Sequence, residues 1–358
     1  MKVLWFNHRD FRHPKAGGAE RTIHEVSRRL VKMGYEVSIC SVNPGNLENY
    51  EIVDGVVIRR IRGNIRAHLL VPKTIRRVNP DVIIDDLAHV VPWCSPLFSD
   101  KKVVVFFRHL HARTLPGQVG SVSSTILSQL EKTYRFLYRT STFVTELETG
   151  MNDLSALGIK KDKIKQILPG IDRNAFKPCS KTHNPTLLYF AGLKDYKRPW
   201  FALDLLKSLN RGDVRLRILG DGPSLDRVRE ICDDEGLSSS VEFLGKVSDE
   251  KLQRIVCESW INLHFSKTEG FGLTLIESAS SGTPTVALDA PGVSETLRKF
   301  GLGEIQSSVD LMAVAIREIF NDYKSWSERV YNNSIVFSWD RTAKDWSEVL
   351  GPNSIPFE

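Results

Sequence analysis

Short apolar runs separated by amphipathic helical stretches recur along the whole chain, and this rhythm restricts the fold more than any other feature. In the first half, residues 2–7, 36–42, 82–86, 103–107 and 142–145 are short and apolar. Helical stretches lie between them at 19–33, 71–78 and 123–140, the first with Ile23, Val26, Leu30 and Met33 on one face. A strand that is apolar on both faces needs cover on both, which predicts a parallel sheet between helical layers. The rhythm pauses at 167–185, rich in Pro, Gly and Asn, and this stretch reads as a linker. It then restarts. Strands are expected at 187–191, 215–219, 241–244, 261–264 and 285–287, with helices at 199–209, 225–235, 250–257, 273–280, 310–321, 324–333 and 340–349. No internal sequence repeat is visible. Two doubly wound α/β units on one chain place their ligand sites at the carboxyl ends of the strands.

A length of 358 residues suits two domains. With 41% hydrophobic and 26% charged residues and no low-complexity tract, the chain is not a disordered, collagen-like or coiled-coil protein. Apolar runs such as 103–107 are too short to span a bilayer. His8, Arg9 and Asp10 follow the first strand too closely for a signal peptide. The five cysteines are odd in number, far apart and form no CxxC pair, so they are expected as reduced intracellular thiols rather than a disulfide frame or zinc site. Charge is divided unevenly. Residues 1–170 carry 26 Lys and Arg against 16 Asp and Glu; residues 171–358 carry 23 against 27. A basic half is suited to a polyanionic partner.

Three motifs can carry chemistry. Glu269-Gly270-Phe271-Gly272-Leu273, with Thr274 and then Glu277, lies between a predicted strand and a predicted helix. Glycines let backbone approach a ligand, and a helix start offers unpaired N–H groups to a phosphate. Glu277, about one turn in, can accept hydrogen bonds from sugar hydroxyls. Gly17-Gly18-Ala19-Glu20 opens the first long helix in a similar way, a weaker signal that a plain loop would equally give. Lys194, Lys197 and Arg198 follow a strand that ends near Gly192 and can neutralise a pyrophosphate; an isolated charged turn has the same composition.

GGAE at 17–20, ILPGID at 167–172, GDGP at 220–223, VEFLG at 241–245, and EGFGLTLIE at 269–277 followed by SGTP at 281–284 occur in one order. With them the chain resembles glycosyltransferase family 4, of GT-B fold, most specifically over 189–295. The resemblance implies an α/β protein of two facing Rossmann-like, doubly wound domains with a cleft between them. Residues 1–170 would form the acceptor-side domain and 171–335 the donor domain, with a C-terminal helix in 336–358 crossing back to the first, and hinges near 167–185 and 334–338. It implies transfer of a hexose from a UDP- or GDP-linked donor with retention, no covalent nucleophile, and the leaving phosphate accepting the acceptor's proton. Glu269 would lie beside the donor sugar and Glu277 would hold the ribose. The N–H groups around Gly272, Leu273 and Thr274 would cradle the pyrophosphate, with Gly270 and Phe271 in the same donor-binding segment; Gly18, with Gly17, would meet the distal phosphate, and Lys197 would neutralise phosphate charge. The family's Arg after the first donor-domain strand is replaced by Leu193, so Lys194 or Arg198 is left to supply that cation. The family's strand-end histidine corresponds to His109, with His111 the alternative. Pro291 replaces one glycine of the late Gly-Gly-x-x-Glu pattern before Glu295. No Asp-x-Asp triplet occurs, so no metal and no cofactor beyond the nucleotide-sugar co-substrate is expected.

From 56 to 80 there is no Asp or Glu, whereas Arg59, Arg60, Arg62, Arg66, Lys73, Arg76 and Arg77 are interleaved with Ile61, Ile65, Leu69, Leu70 and Val71. That pattern suits a basic amphipathic surface on an anionic membrane, a solvated basic face being the plainer reading. A lipid or lipid-linked glycan acceptor and a cytoplasmic location, with peripheral attachment at the inner face of the membrane, are the corresponding expectations. Nucleic acid is disfavoured, since the basic run has no interleaved aromatics and no recognition motif. The rival functions are a nucleotide-sugar-binding protein without turnover, and an epimerase or phosphorylase on the same fold.

Overall fold

The computed structural model describes residues 1–113, 127 and 129–351. The chain divides into two compact units, Met1–Gly170 with Ser338–Glu358, and Ile171–Phe337.

The first unit is built on an eight-stranded sheet: β1 (Lys2–Phe6), β2 (Glu36–Asn43), β3 (Tyr50–Val53), β4 (Val56–Arg62), β5 (Val82–Asp86), β6 (Lys102–Phe106), β7 (Thr142–Thr145) and β8 (Ile164–Gln166). Its order is β3-β4-β2-β1-β5-β6-β7-β8, parallel throughout except where β3 pairs antiparallel with β4. Its helices are α1 (Gly18–Lys32), α2 (Asn64–Leu69), α3 (Val71–Val78), α4 (Tyr134–Leu137) and α5 (Glu148–Ala156). The expected helix at 123–140 lies partly outside the described residues; of it, 127, 129–131 and α4 are described as helical.

Alternation along β1 explains the two-sided core. Val3 and Trp5 join Ile39, Val104 and Phe106 under Ile23, Val26 and Leu30 of α1. Leu4 and Phe6 join Ile83, Val105 and Phe143 under Val71 and Ile75 of α3. The last helix of the chain, which we number α13 (Trp339–Leu350), completes the first layer: Trp346 lies 5.0 Å, centroid to centroid, from both Trp5 and Phe106. Thr342 Oγ1 donates to the Leu168 carbonyl at 2.8 Å, tying this helix to the end of the unit's sheet segment.

The β3–β4 hairpin is absent from the sequence reading. Its signal is Asp54-Gly55, both with positive φ (51° and 77°), the dipeptide that favours a two-residue hairpin turn. The hairpin breaks the supposed single basic surface of 56–80 into a strand and two short helices.

The second unit has six strands: β9 (Thr186–Phe190), β10 (Arg215–Leu219), β11 (Val241–Gly245), β12 (Ile261–His264), β13 (Thr285–Leu288) and β14 (Gly303–Gln306), in the order β11-β10-β9-β12-β13-β14 and all parallel. The helices before α13 are α6 (Phe201–Leu209), α7 (Leu225–Asp234), α8 (Asp249–Glu258), α9 (Leu273–Ser280), α10 (Val293–Phe300), α11 (Val309–Asn321) and α12 (Tyr323–Asn333). α10 and β14 were not anticipated.

One cysteine expectation is corrected. Cys179 and Cys257 form a disulfide, their Cα atoms 5.6 Å apart, while Cys40, Cys94 and Cys232 are free. Spacing concealed the pair because 78 residues separate the two positions; only the folded linker lays Cys179 against the end of α8. Lys181 fastens the same strap, its Nζ donating to the carbonyls of Cys257 (2.8 Å) and Ser259 (2.9 Å) and to Thr283 Oγ1 (2.8 Å).

Candidate active site

In the second unit strand order reverses between β9 and β12, the place where doubly wound sheets open a crevice at their carboxyl edge. The turn after β9 carries Lys194, Lys197 and Arg198; the loop after β12 carries Ser266, Glu269 and Gly270. Adjacent strands thus bring together residues about seventy positions apart. Lys197 Nζ pairs with Glu269 Oε1. The same oxygen accepts from Ser266 Oγ at 2.8 Å and faces His264 Nε2 at 3.3 Å. Burial works against charge on Glu269, but the Lys197 ammonium and then His264 outweigh it and hold the carboxyl well below its ordinary range. Burial likewise disfavours the Lys197 ammonium, and Glu269 reverses the balance and raises its pKa. The pair is therefore ionised at neutral pH.

The loop backbone is fixed from behind. Glu269 N–H donates to the Pro291 carbonyl at 3.1 Å. Gly292 has φ 81°, and a Cβ there would lie 2.2 Å from the Glu269 carbonyl oxygen, so only glycine permits this approach. Gly272 is the N-cap of α9, and the backbone of Leu273 and Thr274 forms its first turn. Glu277 follows, buried. Glu295 lies in the first turn of α10, directly after the Pro291-Gly292 bend.

One expectation at this site needs correction, that of Arg198 as a free cation. The Phe271 side chain is buried against Phe337 and Phe300, with ring centroids 5.6 and 6.2 Å away. Its carbonyl accepts from Thr296 Oγ1 at 2.9 Å. Arg198 does not extend as a free cation, because its Nε donates to the Phe265 carbonyl at 2.5 Å and its Nη2 to that of Ser266 at 3.4 Å. It ties one loop to the other. Leu193 is fully buried in the unit's core, and Lys194 is exposed.

In the first unit the order reverses between β1 and β5. Gly17 caps α1, but its N–H already donates to Glu20 Oε2 at 2.8 Å. That capping box leaves the amides from Gly18 onward for an anion. His109 follows β6 and lies 4.8 Å, ring to ring, from His111. His111 Nε2 is 3.1 Å from the Leu87 carbonyl, and burial lowers its pKa.

Two features of this edge escaped the sequence reading. Arg108 is buried between Asp86 (3.0 Å) and Glu146 (3.2 Å) and lies over the Phe106 ring. His8, at the end of β1, meets His68 Nε2 at 3.2 Å, packs edge-on against His89 and lies against Trp93. Burial first, then the neighbouring His89 and His68, push the His8 pKa down to about 2, so His8 is neutral at physiological pH. Only sheet order could have revealed either group.

Comparison with known proteins decides the family. Residues 16–175 match the model of Glycosyltransferase Family 4, and residues 171–335 match that of Glycosyl transferases group 1. The chain belongs to the family 4 glycosyltransferases.

One subunit of the phosphatidylinositol N-acetylglucosaminyltransferase of Arabidopsis thaliana is 23% identical, over 96% of this chain and 80% of that one. Among solved structures, this glycosyltransferase superposes on the sucrose-phosphate synthase of Thermosynechococcus elongatus with a TM-score of 0.81 at 17% identity, covering 96% of this chain and 97% of that one. It superposes on Anabaena HepE in complex with UDP-glucose with a TM-score of 0.77 at 19% identity, covering 98% and 99%. These likenesses establish the GT-B fold.

The glycosyltransferase's basic run is divided by its secondary structure. Arg60 is not a surface residue. Along β4 it alternates onto the buried face with Val56 and Ile58, where it pairs with Asp10 (2.7 Å) and Glu51 (2.9 Å). Arg59 lies over the Tyr50 ring at 5.2 Å. Arg62, Arg66, Lys73, Arg76 and Arg77 are exposed. On α2, Ile65 and Leu69 are 77% and 74% exposed, and their i,i+4 spacing puts them on one face. Among the described residues no helix is long and apolar enough to cross a membrane.

Proposed function

We propose that this glycosyltransferase moves a hexose, with retention, from a UDP- or GDP-linked donor to a lipid or lipid-linked glycan. The carrying observation is the Glu269 carboxylate, ionised and held on one oxygen by Lys197, Ser266 and His264, beside the start of α9 at the second unit's switch point. In this reading the donor pyrophosphate docks on the N–H groups of Gly272, Leu273 and Thr274, and Lys197 turns from Glu269 toward phosphate. Glu269 then accepts from a hydroxyl of the donor sugar, and Glu277 from the ribose. The bond from the anomeric carbon to the phosphate oxygen breaks through an oxocarbenium-like state. The acceptor hydroxyl adds from the face the phosphate leaves, and its proton passes to that phosphate. Phosphate charge is met by amides and Lys197, with no step assigned to a metal. Leu193 provides no cation, so Lys197 carries more of the leaving-group charge. The UDP-glucose complex of HepE supports a nucleotide-sugar donor. The Arabidopsis relative, by its name part of a phosphatidylinositol N-acetylglucosaminyltransferase, supports a glycolipid acceptor.

A thermal-shift series with UDP, GDP, UDP-glucose, UDP-N-acetylglucosamine and GDP-mannose tests the donor. At 100 times its dissociation constant a true ligand stabilises the protein by about 2.7 kcal/mol. Protection by one nucleotide and its sugars is expected; no shift with any of them would refute the donor assignment.

For the acceptor side we assign the exposed part of the basic run, with Ile65 and Leu69, to the surface of an anionic membrane. Lys and Arg near such a surface contribute about 1 kcal/mol each. Binding to vesicles containing anionic phospholipid at low salt is therefore expected, with a fall of roughly a hundredfold on replacing Arg66, Arg76 and Arg77 together by Gln. A protein that stays in the supernatant with such vesicles would sink the membrane part alone.

A further inference from the structure

We infer that His264 is a positioning residue for transfer, setting through Glu269 which carboxylate oxygen is presented to the donor sugar. This rests on the proposed role of Glu269. His264 is the last residue of β12, nearly fully buried, five positions before Glu269 on the loop that follows. Its Nε2 lies 3.3 Å from Glu269 Oε1. Since that oxygen belongs to an ionised carboxylate, Nε2 carries the proton and donates. The other ring nitrogen, Nδ1, is buried and has no hydrogen-bond partner among the described residues. A proton there would be a buried donor left unsatisfied. A proton on Nε2 therefore faces Glu269, whereas one on Nδ1 would face no acceptor among the described residues.

The other groups on this carboxylate agree. Lys197 and Ser266 both reach Oε1, and among the described residues no donor reaches Oε2. Three donors converge on one oxygen, which restrains the carboxylate through Oε1 and leaves Oε2 to accept from the ligand. Lys197 is the donor that must leave when phosphate arrives. Ser266 belongs to the same loop as Glu269, three residues before it. His264 alone among the three is set in the sheet, so it is the group that keeps Glu269 in place when Lys197 turns away.

The test uses the whole chain and four variants: His264→Leu, His264→Gln, Glu269→Ala and the double variant His264→Leu/Glu269→Ala. Gln can place its amide N–H near the position of Nε2; Leu fills the space without a donor. Turnover is read as release of nucleoside diphosphate from UDP-glucose, UDP-N-acetylglucosamine and GDP-mannose, and binding of UDP and GDP is measured separately. His264→Leu is expected to lower kcat about tenfold or more, with KM for the donor and the affinity for the nucleoside diphosphate within threefold of wild type. His264→Gln is expected to recover most of kcat, and the double variant to be no slower than Glu269→Ala. In the ring-nitrogen NMR spectrum, the resonances missing from His264→Gln should report a proton on Nε2, and Glu269→Ala should shift them. Full activity in His264→Leu, or a Gln variant as impaired as the Leu variant, would overturn the inference, as would a ring protonated only at Nδ1. A wild type that neither binds nor turns over any of these donors refutes the proposed function instead, and the NMR signature still decides whether His264 donates to Glu269.

Discussion

Replacing Glu269 by alanine is expected to lower kcat for glycosyl transfer by about 10²–10³-fold, the loss typical of removing one preorganised polar contact to a transition state. The size follows from how firmly the side chain is held. Its loop is pinned by the Pro291 carbonyl and by the close approach of Gly292, and its Oε1 is gripped by Lys197, Ser266 and His264. A group that is already oriented costs no reorganisation at the moment of reaction, so its full contribution is lost with it. Affinity for the bare nucleoside diphosphate should change far less, because that ligand lacks the sugar. Lys197, released from its carboxylate, remains available to phosphate. Steady-state release of nucleoside diphosphate from the productive donor, alongside a binding isotherm for the nucleoside diphosphate alone, measures both quantities. Glu269→Gln keeps the shape but not the charge and separates the two contributions. A Glu269→Ala enzyme with near-normal kcat would remove this residue from the reaction.

How much of this was legible in the sequence depends on distance along the chain. The β12–loop–α9 segment was readable because strand, glycines and helix are contiguous: the expected 261–264 and 273–280 match the observed elements in full. Two-sided burial of β1 and β5 was readable because local apolarity alone encodes it. Arg60 was misassigned because composition shows a basic run but not which residues of a strand alternate inward. The Asp54-Gly55 turn that would have set this register was available in the sequence and passed over. His264, the His8 cluster and Arg108 are different cases. His264 lies only five positions from Glu269, but the fold of the loop, not any residue pattern, turns the two side chains toward each other; the His8 cluster and Arg108 take their meaning from a sheet order that puts β1 beside β5 and β6 between β5 and β7, and nothing local states that order. The same holds for Cys179 and Cys257, separated by 78 residues.

The largest stability loss is expected from Arg108. Its guanidinium is buried and paired on both sides, with Asp86 at 3.0 Å and Glu146 at 3.2 Å, and its Nη2 also lies 3.3 Å from the Ala19 carbonyl. Arg108→Met removes the one cation and leaves two carboxyl groups buried together. Breaking a buried pair from one side costs about 3–5 kcal/mol. In a unit of this size that corresponds to a fall of roughly 10 °C in melting temperature. The loss should depend on pH in a definite direction. Burial already raises the pKa of both Asp86 and Glu146 against the pull of Arg108, and without Arg108 both rise further. An acid that binds its proton more tightly folded than unfolded favours the folded state at low pH, and that contribution is lost as pH rises through the folded-state pKa. The variant's deficit relative to wild type should therefore be smaller at pH 5 than at pH 8, as read from urea denaturation at the two values. Adding Asp86→Asn and Glu146→Gln removes the uncompensated charge and should restore much of the lost stability. If the single variant is as stable as wild type at pH 8, or the triple variant is no better than the single one, the three residues do not act as one buried charge network.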